Sequence, residues 1–141
     1  MTNQYETILH RWFDEVWNKG CAETIDELLD PNVLIHGLVD SSGNEVSGAA
    51  QFKSFYESFR AALPDIQVIV EDGVSDGNKI VVRCTVRATH AGEGLGVSPT
   101  GNAVEFTGMC MVKEGDGRIV EVWNNFDFLT MMQQVGAVTV G

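Results

Sequence analysis

Two hydrophobic periods share this chain, and the order in which they come leaves few folds open. From Tyr5 onward, Ile8, Leu9, Trp12, Phe13, Val16 and Trp17 recur three and four apart, the stripe of an amphipathic helix that should end near Asn18 to Gly20. A shorter helix over Ala22 to Leu29 buries Ile25, Leu28 and Leu29, and Asp30-Pro31 stops it because the residue before proline avoids helical angles. After a short strand, Val33 to His36, and a turn in DSSGNE, Ser47 is placed to cap a third helix. Its stripe is Phe52, Phe55, Tyr56 and Phe59, and it ends before Pro64.

Beyond Pro64 the period changes to two. Strands are predicted over Ile66 to Val74, Ile80 to His90, Val104 to Lys113 and Arg118 to Phe126. The linking segments SDGNK and EGDGR carry Asp-Gly steps suited to tight hairpins. A last helix, Phe128 to Val135, ends at Gly136, a residue suited to a left-handed C-terminal cap. Helices followed by an antiparallel meander give an α+β domain in which a curved sheet folds around helices on one face. With 141 residues and no repeat, linker or low-complexity run, a single domain over 1–141 is expected.

Alternation assigns the sides of the second long strand. Val82, Cys84, Val86, Ala88 and His90 should face the core, while Val81, Arg83, Thr85, Arg87 and Thr89 face away. On the last strand Ile119, Glu121, Trp123, Asn125 and Asp127 share one side and Val120, Val122, Asn124 and Phe126 the other, and the pattern does not choose between them.

Composition narrows the partners. Nine basic against twenty acidic residues give a formal charge of −11, which argues against nucleic acid or an anionic membrane. The start, MTNQYETILHRW, reaches charged residues without an apolar signal core, so a cytoplasmic protein is expected. Cys21, Cys84 and Cys110 are odd in number and far apart, and read as small apolar residues in a reducing compartment. His10, His36 and His90 have no metal-ligand spacing, and no metal is expected. HAGEGLG leads to a strand instead of opening a helix, so it is a connection over the sheet or a cavity rim, not a phosphate loop. DSSGNE lacks the spacing of acidic ligands in a calcium loop. Met109 and Met111 on one strand face, and Met131 and Met132 on the last helix, serve either as core filling or as an apolar pocket wall. Asp127, just before the last helix, is either a cap accepting backbone N–H bonds or a carboxylate whose pKa burial beside Trp123 raises into the acid/base range.

Three stretches, THAGEGLGVSPTGNAVEFTG, DGRIVEVWNNFD and FLTMMQQVGAV, resemble in order and spacing the SnoaL-like polyketide cyclase family, often labelled ester cyclase. The resemblance implies a cone-shaped α+β barrel of the nuclear-transport-factor type, a homodimer, and a cavity between sheet and helices. It also implies ring closure by intramolecular aldol condensation without metal or cofactor, on a small hydrophobic carbonyl or polyketide-like ligand. The family's W-x-x-x-D stretch matches Trp123 to Asp127, which makes Asp127 the expected acid/base, with His36 and Asn125 assisting. Trp123, His90, Met109, Met111, Trp12, Phe55, Phe59 and Cys84 are the expected pocket. Related barrels that hydrolyse epoxides use an Asp-Arg-Asp arrangement, and Cys84 and Val86 occupy the positions of its Arg-x-Asp part, which disfavours that reaction. The competing class is a non-catalytic binding or association module on the same fold, with Asp127 as a cap.

Overall fold

The computed structural model describes residues 8–138. Five strands form one sheet in the order β1-β5-β4-β3-β2, and helical segments pack against one of its faces. The helices are α1 (Trp12–Asn18), α2 (Glu23–Leu28), α3 (Ala49–Ala62) and α4 (Phe128–Gln134). The strands are β1 (Leu29–His36), β2 (Gln67–Asp76), β3 (Lys79–Thr89), β4 (Ala103–Gly115) and β5 (Arg118–Phe126). β2 to β5 form the expected antiparallel meander, while β1 lies parallel to β5. This is the α+β architecture that the change of period anticipates.

Local chemistry accounts for most boundaries. The β4–β5 hairpin turns on Asp116 (φ 52°) and Gly117 (φ 77°), two left-handed residues in succession, as a tight hairpin requires. The helix α2 gives way at Leu29 to an extended backbone, two residues before Pro31. Three details depart from expectation. β1 already begins at Leu29, not Val33. α1 is wound as a π-helix: the Lys19 N–H donates to the Asp14 carbonyl five residues back, at 2.9 Å. On this wider turn Trp12, Phe13, Val16 and Trp17 are all buried. Gly48, not Ser47, stands at the N-cap of α3; the Ser47 hydroxyl and N–H both donate to Gln51 Oε1 instead.

The core lies between α1, α3 and the inner face of the sheet. Trp17 meets the rings of Phe52, Tyr56 and Phe59 of α3 at centroid distances of 5.2 to 6.2 Å. The Tyr56 hydroxyl donates to the Val16 carbonyl at 2.8 Å, so this aromatic contact carries no unpaired polar group. Asn18 fastens α1 to the β2 edge, accepting from the Val68 N–H at 2.6 Å and donating to the Val68 carbonyl at 3.0 Å. On β3, Val82, Cys84, Val86 and Ala88 point inward as expected. Arg83 and Arg87 are exposed on the outer side, whereas Thr85 there is buried and donates to Glu71.

HAGEGLG is neither a phosphate loop nor a loose connection. The N–H groups of Ala91 and Gly92 both donate to the Ala62 carbonyl at 3.1 Å, at the end of α3. A Cβ at Gly92 would lie 1.9 Å from the Ala61 carbonyl oxygen, and one at Gly94 2.0 Å from that of Ser58. The glycines are there so that the loop backbone can lie directly on the helix.

Candidate functional site

The last strand settles which side faces inward, by breaking its own period. Lys113 pairs with Glu121 but Glu114 pairs with Ile119, an irregularity that leaves one extra residue on β5. Ile119 and Val122 therefore both face the core, followed by Asn124 and Phe126. Glu121, Trp123 and Asn125 fall on the outer side.

Between the sheet and α1 and α3 lies an apolar cavity of about 70 Å³. Trp12, Trp17, Phe52, Phe55, Phe59 and Phe106 supply much of its wall. Asn124 is the one side chain in it with both a donor and an acceptor; Trp12 and Trp17 add indole N–H donors, Cys110 a thiol, and the remaining lining is apolar. Asn124 Nδ2 donates to the His36 carbonyl at 3.0 Å, which anchors the amide at the end of β1. The second N–H and Oδ1 make no hydrogen bond to the described residues, so both are free to meet a ligand. Gly37 makes this approach possible: its φ is +86°, and a Cβ there would sit 2.0 Å from the Asn124 carbonyl oxygen.

Beyond this cavity is a wider groove of about 920 Å³, bounded by the segment 37–46, α3, Leu95 and α4. Phe55, Phe59 and Phe128 belong to both linings.

The expected site residues are divided among several places. Trp12, Phe55 and Phe59 line the cavity as expected. Cys84 and His90 are fully buried, but neither is part of the wall. The Thr100 N–H donates to His90 Nδ1 at 3.3 Å, and Nε2 is buried without a partner among the described residues. His90 thus secures the foot of loop 91–102. Burial, followed by the charge of Glu71, pushes the Cys84 thiol up to about 12, and burial also raises Cys110. Both thiols stay protonated at neutral pH and are poor nucleophiles.

His36, Trp123, Asn125, Met109 and Met111 all stand on the outer face, contrary to the pocket expected of them. β1 presents Val33 and Ile35 inward, so His36 points away, half exposed. Its Nε2 lies 2.8 Å from Glu121 Oε2, and its ring stacks on Trp123 at 5.4 Å. In the same row Met111 pairs with Trp123, and beside it Met109, 49% exposed, pairs with Asn125. Met131 and Met132 belong instead to the groove.

Asp127 is exposed and lines neither space. Its carboxylate caps α4, accepting from the Thr130 N–H at 3.0 Å and the Thr130 hydroxyl at 2.6 Å. The capping half of the expectation holds, while enclosure beside Trp123 does not. The hydroxyl bond first, and the amide bond second, lower the Asp127 pKa, the reverse of the expected shift. The residue that the sequence reading missed is Asn124, three positions earlier on the opposite side of the strand.

Among the described residues no three His, Cys, Asp or Glu side chains converge as a metal site. No helix among them is long and apolar enough to cross a membrane.

Comparison with known proteins follows the same outline. The profile of the SnoaL-like polyketide cyclases matches residues 7–135. The chain belongs to the SnoaL-like polyketide cyclase family. IdmH of Streptomyces antibioticus, a proposed polyketide cyclase, is 33% identical with a TM-score of 0.80, over 95% of this chain and 99% of that one. A proposed SnoaL-like polyketide cyclase from Jannaschia sp. CCS1 is 26% identical with a TM-score of 0.81, over 96% and 94% of the two chains. TsrD of Streptomyces laurentii, 19% identical over 98% of this chain and 100% of that one, shares the fold with a TM-score of 0.81. No curated protein matches the chain.

The capping bonds have a pH signature. Asp127 has a folded pKa below its unfolded value of about 3.9, so its ionised form stabilises the fold above that pH and this contribution is lost as pH falls through the folded pKa. Asp127→Asn should therefore unfold at lower urea than wild type at pH 6, with the difference closing as the pH is taken below about 4. Urea titrations across that range check it, and a difference that persists or widens in acid contradicts the cap.

Proposed function

We propose that this chain binds a small carbonyl compound of polyketide character in the aromatic cavity and promotes its ring closure or isomerisation without a cofactor. Family membership supports the reaction class, and the observation that carries the site is the half-satisfied amide of Asn124 in an apolar wall. With one N–H anchored on the His36 carbonyl, the second N–H of the same amide is left to stabilise negative charge developing on a ligand's carbonyl oxygen. The adjacent Oδ1 accepts from an enol or hydroxyl. One amide therefore matches a carbonyl and its neighbouring enol together, a pairing common along a polyketide chain. The aromatic walls contribute confinement, bringing the reacting ends of a flexible chain close and replacing part of the entropy loss that ring closure requires.

No carboxylate or imidazole lines the cavity, so its wall supplies the amide, the indole N–H groups of Trp12 and Trp17 and confinement. As the enol carbon bonds to the carbonyl carbon, the enol O–H proton passes to the oxygen of the attacked carbonyl. In this proposal Asp127 holds α4, and with it Phe128, against the cavity instead of shuttling a proton. An exposed carboxylate with a lowered pKa is ionised at neutral pH, which makes it no acid and only a weak base there. The non-catalytic alternative differs in one respect: the same cavity would bind such a compound and release it unchanged.

Pairing of two copies across the outer sheet face belongs to the same proposal. Leu34 and Met109 are exposed there, with the half-buried Met111 and Trp123 beside them. Arg83 and Arg87 lie on the same face. A second copy would cover these side chains. Sedimentation at micromolar concentration should give twice the chain mass, and a single-chain mass would remove this part of the proposal.

Turnover of linear β-diketones and hydroxy-ketones, followed by mass spectrometry of the cyclised product, tests the chemistry. Asn124→Ala should lower turnover by at least ~100-fold, the effect of losing one oxyanion donor. Asp127→Asn should retain turnover within about threefold of wild type, since an asparagine still caps the helix. The opposite ranking would return the catalytic role to Asp127. Binding without conversion by wild type would support the carrier alternative.

A further inference from the structure

We propose that the inner cavity and the outer groove are the two halves of one ligand site, divided by a movable aromatic partition of Phe55, Phe59 and Phe128. The ligand is inferred to be amphipathic, with an apolar head that passes the partition and an uncharged, oxygen-rich tail that stays in the groove. This rests on the inner-cavity assignment above and extends it to a part of the molecule that the assignment does not use.

Size requires an opening. The inner cavity of about 70 Å³ is well below the several hundred Å³ typical of small-molecule sites, whereas the groove of about 920 Å³ lies within that range. Neither half suffices alone: the first is too small, and the second is wide and more polar in its lining. The three rings common to both linings stand between them. Phe55 stacks on Phe59 at 5.3 Å, and Phe59 meets Phe128 edge-on at 6.1 Å. Phe55 and Phe128 are only half-buried, so their rings have somewhere to go. Phe128 opens the seven-residue helix α4, whose start is held by the Asp127 cap. Rotation of these two rings joins the spaces without unfolding a strand.

The lining of the groove specifies the tail. Ser41, Ser42, Asn44, Gln51, Ser54 and Ser58 provide neutral donors and acceptors, set among apolar Val39, Leu95, Met131 and Met132. Asp40 and Glu45 are its acidic side chains, and no lysine, arginine or histidine lines it. A carboxylate, sulfonate or phosphate on the tail would meet like charge with no cation to receive it, on a chain already at −11. Hydroxyl, ether and ester oxygens find partners throughout.

Stopped-flow binding of the neutral dye N-phenyl-1-naphthylamine tests the partition. In a Trp123→Phe background the two remaining tryptophans, Trp12 and Trp17, both line the inner cavity, so their quenching reports entry past the rings. Removing a ring from the partition by Phe55→Ala, or trimming it by Phe55→Leu, should raise the association rate by about tenfold or more, because entry no longer waits for a ring to move. Narrowing the groove by Ser58→Tyr or Ser54→Tyr, which leaves the inner wall intact, should lower the rate by a comparable factor. Replacing the dye by 1-anilinonaphthalene-8-sulfonate, with the same rings and an added sulfonate, should weaken binding at least ~10-fold. Quenching at the wild-type rate in every variant would overturn the partition and leave the inner-cavity assignment standing. Absence of quenching in all of them would overturn both. Equal affinity for the two dyes would overturn the neutral tail.

Discussion

The pairing of β1 with β5, the one parallel contact in the sheet, is the constraint on which the site depends. Leu34, Ile35 and His36 run alongside Glu121, Val122 and Trp123, and Gly37 then turns away with a left-handed backbone pressed against the Asn124 carbonyl. That contact puts the His36 carbonyl where it captures the Asn124 amide. It also sends the chain from the sheet edge into the segment 37–46 that bounds the groove, and from there into α3. A side chain at residue 37 would separate the two strands at the point where the cavity has its amide.

The architecture was largely legible because each half of the chain repeats one simple period. Asp-Gly steps at the hairpins, Pro31 after α2 and Gly136 after α4 mark ends that the structure respects. Strand pairing at long sequence separation was not legible: nothing in VLIH announces a parallel partner almost ninety residues on. Nor was the winding of α1, since residues at 12, 13, 16 and 17 satisfy an α-helical stripe and a wider π turn equally well.

The site was less legible than the fold, for a specific reason. β5 carries apolar residues on both sides, Ile119 and Trp123 on one and Val120, Val122 and Phe126 on the other, so alternation offers no vote. The irregularity between Ile119 and Val122 then brings residues three apart onto the same face. Trp123 and Asn125 consequently move outward together, while Asn124, an amide without any motif of its own, turns inward. Asp127 held attention because a carboxylate before a helix is chemically conspicuous, and the bonds it makes in the structure are those of a cap. His36 meets Asn124 through its carbonyl, a contact that its imidazole conceals.

The proposed function turns on one claim: the ligand's carbonyl is held by Asn124 inside the cavity, not by His36, Trp123 and Asp127 outside it. Crystals of the full chain grown with cyclohexanone, a ketone small enough to report on the inner wall alone, test this directly. The account predicts ring density among Trp12, Trp17 and Phe52 with the ketone oxygen within hydrogen-bonding distance of Asn124 Nδ2. An empty cavity, with the ketone seated on the outer face beside His36 and Trp123, would contradict it.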